Sequence, residues 1–281
     1  MSERAVLLLS CPDAKGLVAC LASFVHGHGG NIVHSDHHSD HGQFLTRIEW
    51  ELEGFELAGA DIAARFRPLA EELGADWQIH HSGQRARVAI WVSKQDHGLL
   101  DLLWRQRAGD LRCDIPLVIS NHESLRARCA DFELDFHHLP MSAELKRQQE
   151  AAQLALLERY RIDLVVLAKY MQILSADFVV AAPPVINIHH SFLPAFAGAR
   201  PYHRAHKRGV KLIGATAHYV TAELDAGPII EQDVSRVSHR DEVRDLIRKG
   251  RDLERLVLAR AVRHHVEHEV LAYKNRTVVF R

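Results

Sequence analysis

The first apolar run of the chain, Ala5–Leu9, is a short strand-like stretch, and the "CPDAKG" that follows it (11–16) is made of turn residues. From about Leu17 to His28 the apolar spacing becomes helical. Asn31–His38 and Gln43–Leu52 read as strands, with His41-Gly42 between them as a two-residue hairpin turn. Leu57–Leu73 repeats its apolar residues at helical intervals through Ile62, Phe66, Leu69 and Leu73, and Asp76–His81 is a fourth strand. The predicted order over residues 1–83 is βαββαβ, the ferredoxin-like arrangement.

The polar segment "HSGQRAR" (81–87) is a candidate linker, and beyond it the rhythm changes. Strands at Val88–Ser93, Ile115–Ser120, Asp163–Ala168 and Val185–His190 alternate with helices at Leu99–Arg107, Ser124–Ala130 and Ala143–Tyr160. "PLVIS" and "DLVVLA" are apolar almost throughout, as strands buried on both faces of a parallel sheet are. Lys211–Val220 and Ile229–Val234 add two strands, Asp241–Val270 a long amphipathic helix, and "NRTVVF" a final strand. Residues 84–281 are therefore expected to form a doubly wound, mostly parallel α/β domain, making the whole chain α/β.

Composition narrows the classes of function. With 47% hydrophobic residues, 25% charged residues and a formal net charge of −1, the chain has no global electrostatic attraction to nucleic acid or anionic membrane. No stretch approaches the ~20 apolar residues of a membrane span, and the N-terminal apolar run is too short for a secretory signal, so a cytoplasmic protein is expected. Cys11, Cys20, Cys113 and Cys129 form no C-x-x-C pair and are expected to be reduced thiols. His26, His28, His34, His37, His38 and His41 crowd the N-terminal unit, but no cysteine is placed to close a metal site, and strand alternation separates His37 from His38; no metal is expected.

The chemistry concentrates in "VINIHHS" (185–191). In an open parallel sheet, ligands lie outside the carboxyl ends of strands. Alternation puts Asn187 and His189 on one face with Ser191, and sends Ile188 and His190 to the other. The amide can hydrogen-bond a carbonyl, and an imidazole, with an ordinary pKa of about 6.5, can carry a proton at neutral pH. Such a histidine commonly needs a carboxylate to orient it, and "LDAGPII" (224–230) offers Asp225 in a loop. G-x-S-x-G and H-E-x-x-H are both absent. From the residues alone, Asn187, His189 and Asp225 are either an acid/base site or inert, hydrogen-bonded buried polars.

The run "NIHHSFLPAFAGARPYHRAHKRGVKLIGATAHYV" (187–220), with "DLVVLAKYM" before it and "LDAGPIIEQDV" after it, resembles the folate-dependent formyltransferase superfamily. More closely, it resembles the branch that hydrolyses 10-formyltetrahydrofolate to tetrahydrofolate and formate, and the likeness spans the whole chain. It implies an N-terminal ACT-type regulatory module over residues 1–83 and a hydrolase domain over 84–281. It places the family's essential asparagine, histidine and aspartate on Asn187, His189 and Asp225, with no metal and no cofactor beyond the folate substrate. The role implied is supply of formate and balance of folate pools for purine synthesis. The alternative is formyl transfer to an amine such as glycinamide ribotide. Those transferases carry a glycine-rich phosphate loop where this chain has "VSKQDHG" (92–98), which favours water as acceptor. A tRNA formyltransferase would need a nucleic-acid-binding domain and a basic surface. An amino-acid sensor with a dead enzyme domain is a third reading, opposed by the intact trio.

The resemblance also implies a pterin slot formed by Met171, Gln172 and Ile173 together with Leu224, Asp225 and Gly227, although Met171 and Ile173 equally suit an ordinary core. The basic run 203–211 is either a solvated helix face or a seat for the folate glutamate tail. Asp13, Gly16 and Asn31 are candidate contacts for a glycine or methionine effector, or simply caps and turns. A homo-oligomer is implied.

Overall fold

The computed structural model describes residues 3–194 and 201–281, and the chain divides into two units, Met1–Arg85 with His268–Arg281, and Ala86–Glu267. In the first unit β1 (Arg4–Pro12), α1 (Leu17–Gly27), β2 (Ile32–Asp40), β3 (Gln43–Glu51), α2 (Ala60–Glu72) and β4 (Asp76–His81) follow in the expected order. The sheet is antiparallel with strand order β2-β3-β1-β4, the ferredoxin-like topology. Alternation carries Leu7, Leu9, Phe44, Ile48 and Trp50 to the face that packs on Leu21 and Val25 of α1 and Ile62 and Phe66 of α2. The β2–β3 turn is His41-Gly42, both left-handed at φ 49° and 75°, the twist that a two-residue hairpin requires.

The second unit runs β5 (Ala86–Val92), α3 (His97–Ala108), β6 (Cys113–Ser120), α4 (Arg126–Ala130), β7 (Asp135–His138), α5 (Lys146–Arg159), β8 (Leu164–Leu167), α6 (Ala176–Ala181), β9 (Val185–His189), α7 (Pro201–Arg208), β10 (Leu212–Tyr219), β11 (Ile229–Arg236) and α8 (Val243–Val266). Its seven-stranded sheet has the order β11-β10-β9-β8-β5-β6-β7. The strands from β9 to β7 are parallel, and β10 runs antiparallel to both β9 and β11. Leu164–Leu167 is buried at every position, as its unbroken apolar run requires. Edge strand β7 was not expected: "DFHH" is short, polar and at most half-buried, so it carries no apolar signal. Among the described residues no helix is long and apolar enough to cross a membrane.

The C-terminus departs from expectation. The long helix stops at Val266, and β12 (Val270–Tyr273) pairs with β13 (Arg276–Val279) in a two-stranded hairpin. Residues 268–281 were expected with the second domain but belong with the first unit. The reason is burial: Leu271 and Phe280 cover Leu8 and Leu45 on the sheet face opposite α1 and α2. Arg47 Nε donates to the His268 carbonyl at 2.9 Å, and the Tyr273 hydroxyl donates to Asp40. Phe280→Ala should lower the stability of the first unit by about 3 kcal/mol, read as a shifted urea midpoint.

Candidate active site

At the carboxyl ends of β8 and β9 the second unit opens into a cavity of about 310 Å³, lined by Asn187, His189 and Asp225 and by the loops after β8 and β10. This is where an open parallel sheet exposes backbone and polar side chains together. Asn187 and His189 are alternate residues of β9, and their shared face follows from the strand's period. Asp225 reaches them by a longer route. Tyr219, the last residue of β10, pairs with Ile186 near the start of β9, so the following loop must double back along the strand.

Two local features make that return possible. Asp225 sits at φ 55°, in the left-handed region that aspartate tolerates better than most residues. Gly227 lies so close to Tyr219 that a Cβ there would fall 1.8 Å from the Tyr219 carbonyl oxygen. The Tyr219 N–H donates to the Pro228 carbonyl at 2.9 Å and closes the neck of the loop.

His189 Nδ1 lies 3.2 Å from Asp225 Oδ2. A carboxylate only accepts, so Nδ1 carries the proton and Nε2 is left for chemistry. Nε2 is buried and, among the described residues, has no hydrogen-bond partner. The Asp225 carboxyl is held well below its ordinary range, chiefly by the hydrogen bond from His189 and next by the His218 imidazole beside it, against its own part burial.

His218 is the member that sequence reading missed. It faces Asn187 across the β9–β10 ladder; its Nε2 lies 3.3 Å from Asn187 Nδ2 and 3.7 Å from Asp225 Oδ1. Its Nδ1 donates to the Tyr219 carbonyl at 2.9 Å, which fixes the ring. A histidine inside the apolar run "IGATAHYV" is a signal, but linking it to Asn187 requires the cross-strand register.

His190 also departs from expectation. Alternation holds only while the strand lasts, and β9 ends at His189. The His190 ring stacks on that of His189, centroids 4.8 Å apart and 17° from parallel, and both residues line the cavity.

Met171, Gln172, Ile173 and Leu224 line the same cavity, whereas Gly227 is not among its lining residues and serves the close approach described above. Met171, Ile173 and Leu224 are each more than 60% exposed, so they are not core residues. The loop that carries the first three is pinned from behind. The Met171 N–H donates to Ser93 Oγ at 3.1 Å, the Gln153 amide to the Tyr170 hydroxyl at 3.1 Å, and the Ser175 hydroxyl to buried Glu150 at 2.6 Å.

The three effector candidates are not brought together within one chain. The Asp13 N–H donates to Gly42 at the hairpin end of the sheet, and Gly16 takes φ 89° just before α1. The Asn31 amide donates to Glu51 Oε2 at 3.0 Å, beside the opposite end of β3. Nine-residue strands put those ends roughly 25 Å apart. No group of three or more His, Cys, Asp or Glu side chains among the described residues is arranged to hold a metal. Residues 195–200 of the long motif lie outside the described residues.

Residues 86–262 match the formyl transferase family. The chain is 64% identical to a formyltetrahydrofolate deformylase of Synechocystis sp. over 98% of each sequence. The crystal structure of a formyltetrahydrofolate deformylase from Pseudomonas syringae pv. tomato superposes with a TM-score of 0.97 at 46% identity, covering all of this chain and 95% of the other. Glycinamide ribonucleotide transformylase 1 from Symbiobacterium toebii superposes with a TM-score of 0.67 at 30% identity, over 72% of this chain and 97% of its own.

The lowered pKa of Asp225 makes a signed prediction. The carboxylate stabilises the fold above its ordinary pKa of about 4, and this contribution disappears as pH falls through the native value. The stability difference between the protein and Asp225→Asn should therefore shrink below pH 4 in denaturant titrations. Gly227→Ala should push the loop off Tyr219 and impair the site even where the fold survives, seen as lost turnover with an unchanged circular dichroism spectrum.

Proposed function

The chain belongs to the formyl transferase family, among its formyltetrahydrofolate deformylases, and on that premise we propose that it hydrolyses 10-formyltetrahydrofolate to tetrahydrofolate and formate. The observation that carries this over transfer to an amine is coverage: the deformylase match extends through both units, and the transformylase match through 72% of the chain. The loop after β5 supports it. One form of anion-binding nest alternates right- and left-handed backbone, and no residue of 92–98 has a positive φ. Ser93 there is occupied, donating to Asn121 at 2.7 Å while accepting from Met171.

The geometry suits the reaction step by step. The formyl group enters with its oxygen on Asn187, whose amide His218 holds in place. His189 Nε2, with Nδ1–H anchored on Asp225, takes a proton from water as the water oxygen adds to the formyl carbon. The carbonyl electron pair moves to oxygen, and Asn187 donates to the resulting oxyanion. The imidazolium, stabilised by the ionised Asp225, then gives its proton to N10 as the C–N bond breaks. Formic acid leaves and ionises, and His189 is neutral again. Met171, Gln172, Ile173 and Leu224 form the lining on which the pterin rests.

The N-terminal unit we read as an ACT-type module for a small amino acid such as glycine or methionine, supported by its ferredoxin-like sheet order. Because Asp13 and Asn31 lie at opposite ends of that sheet, an effector that touches both needs residues from two copies, which fits a homo-oligomer. In this reading the enzyme is cytoplasmic and supplies formate toward purine synthesis.

Enzyme incubated with 10-formyltetrahydrofolate and no amine should release formate catalytically; turnover that depends on added glycinamide ribotide would instead identify a transferase. In the same assay Asp225→Asn should lower kcat by about 10³–10⁴-fold, the scale seen when a histidine loses its orienting carboxylate, and His189→Ala should abolish turnover.

A further inference from the structure

Among the described residues of the second unit, a cluster of ionisable groups gathers around buried Glu254 and reaches the cavity wall at Lys169, beside the histidine pair. Glu254, near the middle of α8 and 2% exposed, accepts from three elements at once. Lys169 Nζ donates to its Oε1 at 3.2 Å, the Tyr202 hydroxyl to Oε1 at 2.9 Å, and His97 Nε2 to Oε2 at 2.7 Å. Burial alone would push the Glu254 carboxyl up, but the hydrogen bond from His97 and the charge of Lys169 hold it down at about 2. Two further features show that this arrangement is built. Lys169 is held in the left-handed region at φ 65°. At Gly250, one turn before Glu254, a Cβ would fall 2.0 Å from the Tyr202 hydroxyl, so only glycine admits that ring.

Buried ion pairs are poor sources of stability, because desolvation consumes most of the attraction. This one lies beside His190. The Tyr202 ring stands 6.3 Å from the His190 ring and is tilted 45° to it, Lys169 shares the cavity wall with it, and the His190 ring is stacked on His189. We propose that His190 is a positioning residue for the hydrolysis: clamped by the Lys169–Glu254–Tyr202–His97 cluster, its flat ring sets the plane of the His189 imidazole. In that plane Nδ1 meets Asp225 and Nε2 meets the formyl group. The proposal rests on the hydrolytic reading for its consequence in rate, but not for the geometry itself.

The electrostatics agree. Burial, then Lys169 and His189, push the His190 imidazole down to about 4, against Glu254 and Asp225, which pull it up. His190 is therefore neutral near pH 7, and a neutral stacked ring leaves His189 free to carry the proton of the reaction. A charged ring in the same place would oppose that proton.

The test uses the full chain with His190→Leu, which fills the volume without a plane, His190→Phe, which restores a flat neutral ring, and Tyr202→Phe, which loosens the clamp from a distance. Acceptor-free formate release should show kcat reduced by roughly 10–100-fold in His190→Leu with KM little changed, and largely restored in His190→Phe. Tyr202→Phe should give a smaller loss of the same kind. Independently of activity, the Nδ1–H tautomer of His189 should be a sharp resonance in imidazole ¹⁵N spectra, assigned by its loss in His189→Gln. That signal should persist in His190→Phe and broaden or shift toward a mixed tautomer in His190→Leu. Wild-type kcat and an unaltered His189 signal in His190→Leu would overturn the proposal, as would His190→Phe falling as far as His190→Leu. If the wild-type protein releases no formate without an amine, the hydrolytic reading fails and the spectra still decide the role of His190. If His190→Leu does not fold, the kcat and the spectrum of Tyr202→Phe decide it: a wild-type result in both rejects the clamp.

Discussion

The contact between His189 Nδ1 and Asp225 Oδ2, 3.2 Å long, is the constraint on which the site depends. It joins the end of a buried strand to a loop that leaves the neighbouring strand at its far end, and it makes the two nitrogens of one imidazole unequal. Much of the surrounding backbone serves that meeting. β10 must run antiparallel to β9, the loop after it must double back, Asp225 must accept a left-handed conformation, and residue 227 must lack a side chain. Each requirement is a local cost, and sites that tolerate such costs are commonly those where geometry is put to chemical use.

Around this contact the cavity wall is tied by hydrogen bonds from behind and presents apolar side chains toward the opening. The loop carrying Met171, Gln172 and Ile173 is tied at Ser93, Gln153 and Glu150, so its exposed side chains are presented by a backbone with little freedom. A flat aromatic ligand loses less on binding to a preformed slot than to one it must order. The buried Glu254 cluster plays the corresponding part behind the histidines, where a shift of a few tenths of an ångström changes which atom Nε2 can reach.

A site of this kind does not by itself choose between water and an amine, since both attack the same carbon through the same base. In this chain the choice is connected with what lies beside the trio. The loop after β5 has no residue with positive φ, and its Ser93 hydroxyl is already paired with Asn121 and with the Met171 N–H of the loop after β8.

How far the sequence reaches depends on the range of the interaction. Periodicities of two and 3.6 residues determine both βαββαβ and the doubly wound succession, and within β9 they place Asn187 and His189 on one face. They failed where the pattern stops being local. His190 lies one residue past the strand, so alternation assigned it the wrong neighbour. β7 has no apolar run to reveal it. Leu271 and Phe280 are apolar wherever they end up, and only packing shows that they cover Leu8 and Leu45. Asp13 and Asn31 flank the same helix, yet the length of the sheet keeps them apart. His218 stands 31 residues from Asn187, and the hydrogen-bonded side chains of Lys169, His97 and Glu254 come from three separate elements. Those partnerships are set by strand register and helix packing, which are properties of the folded chain and not of any segment within it.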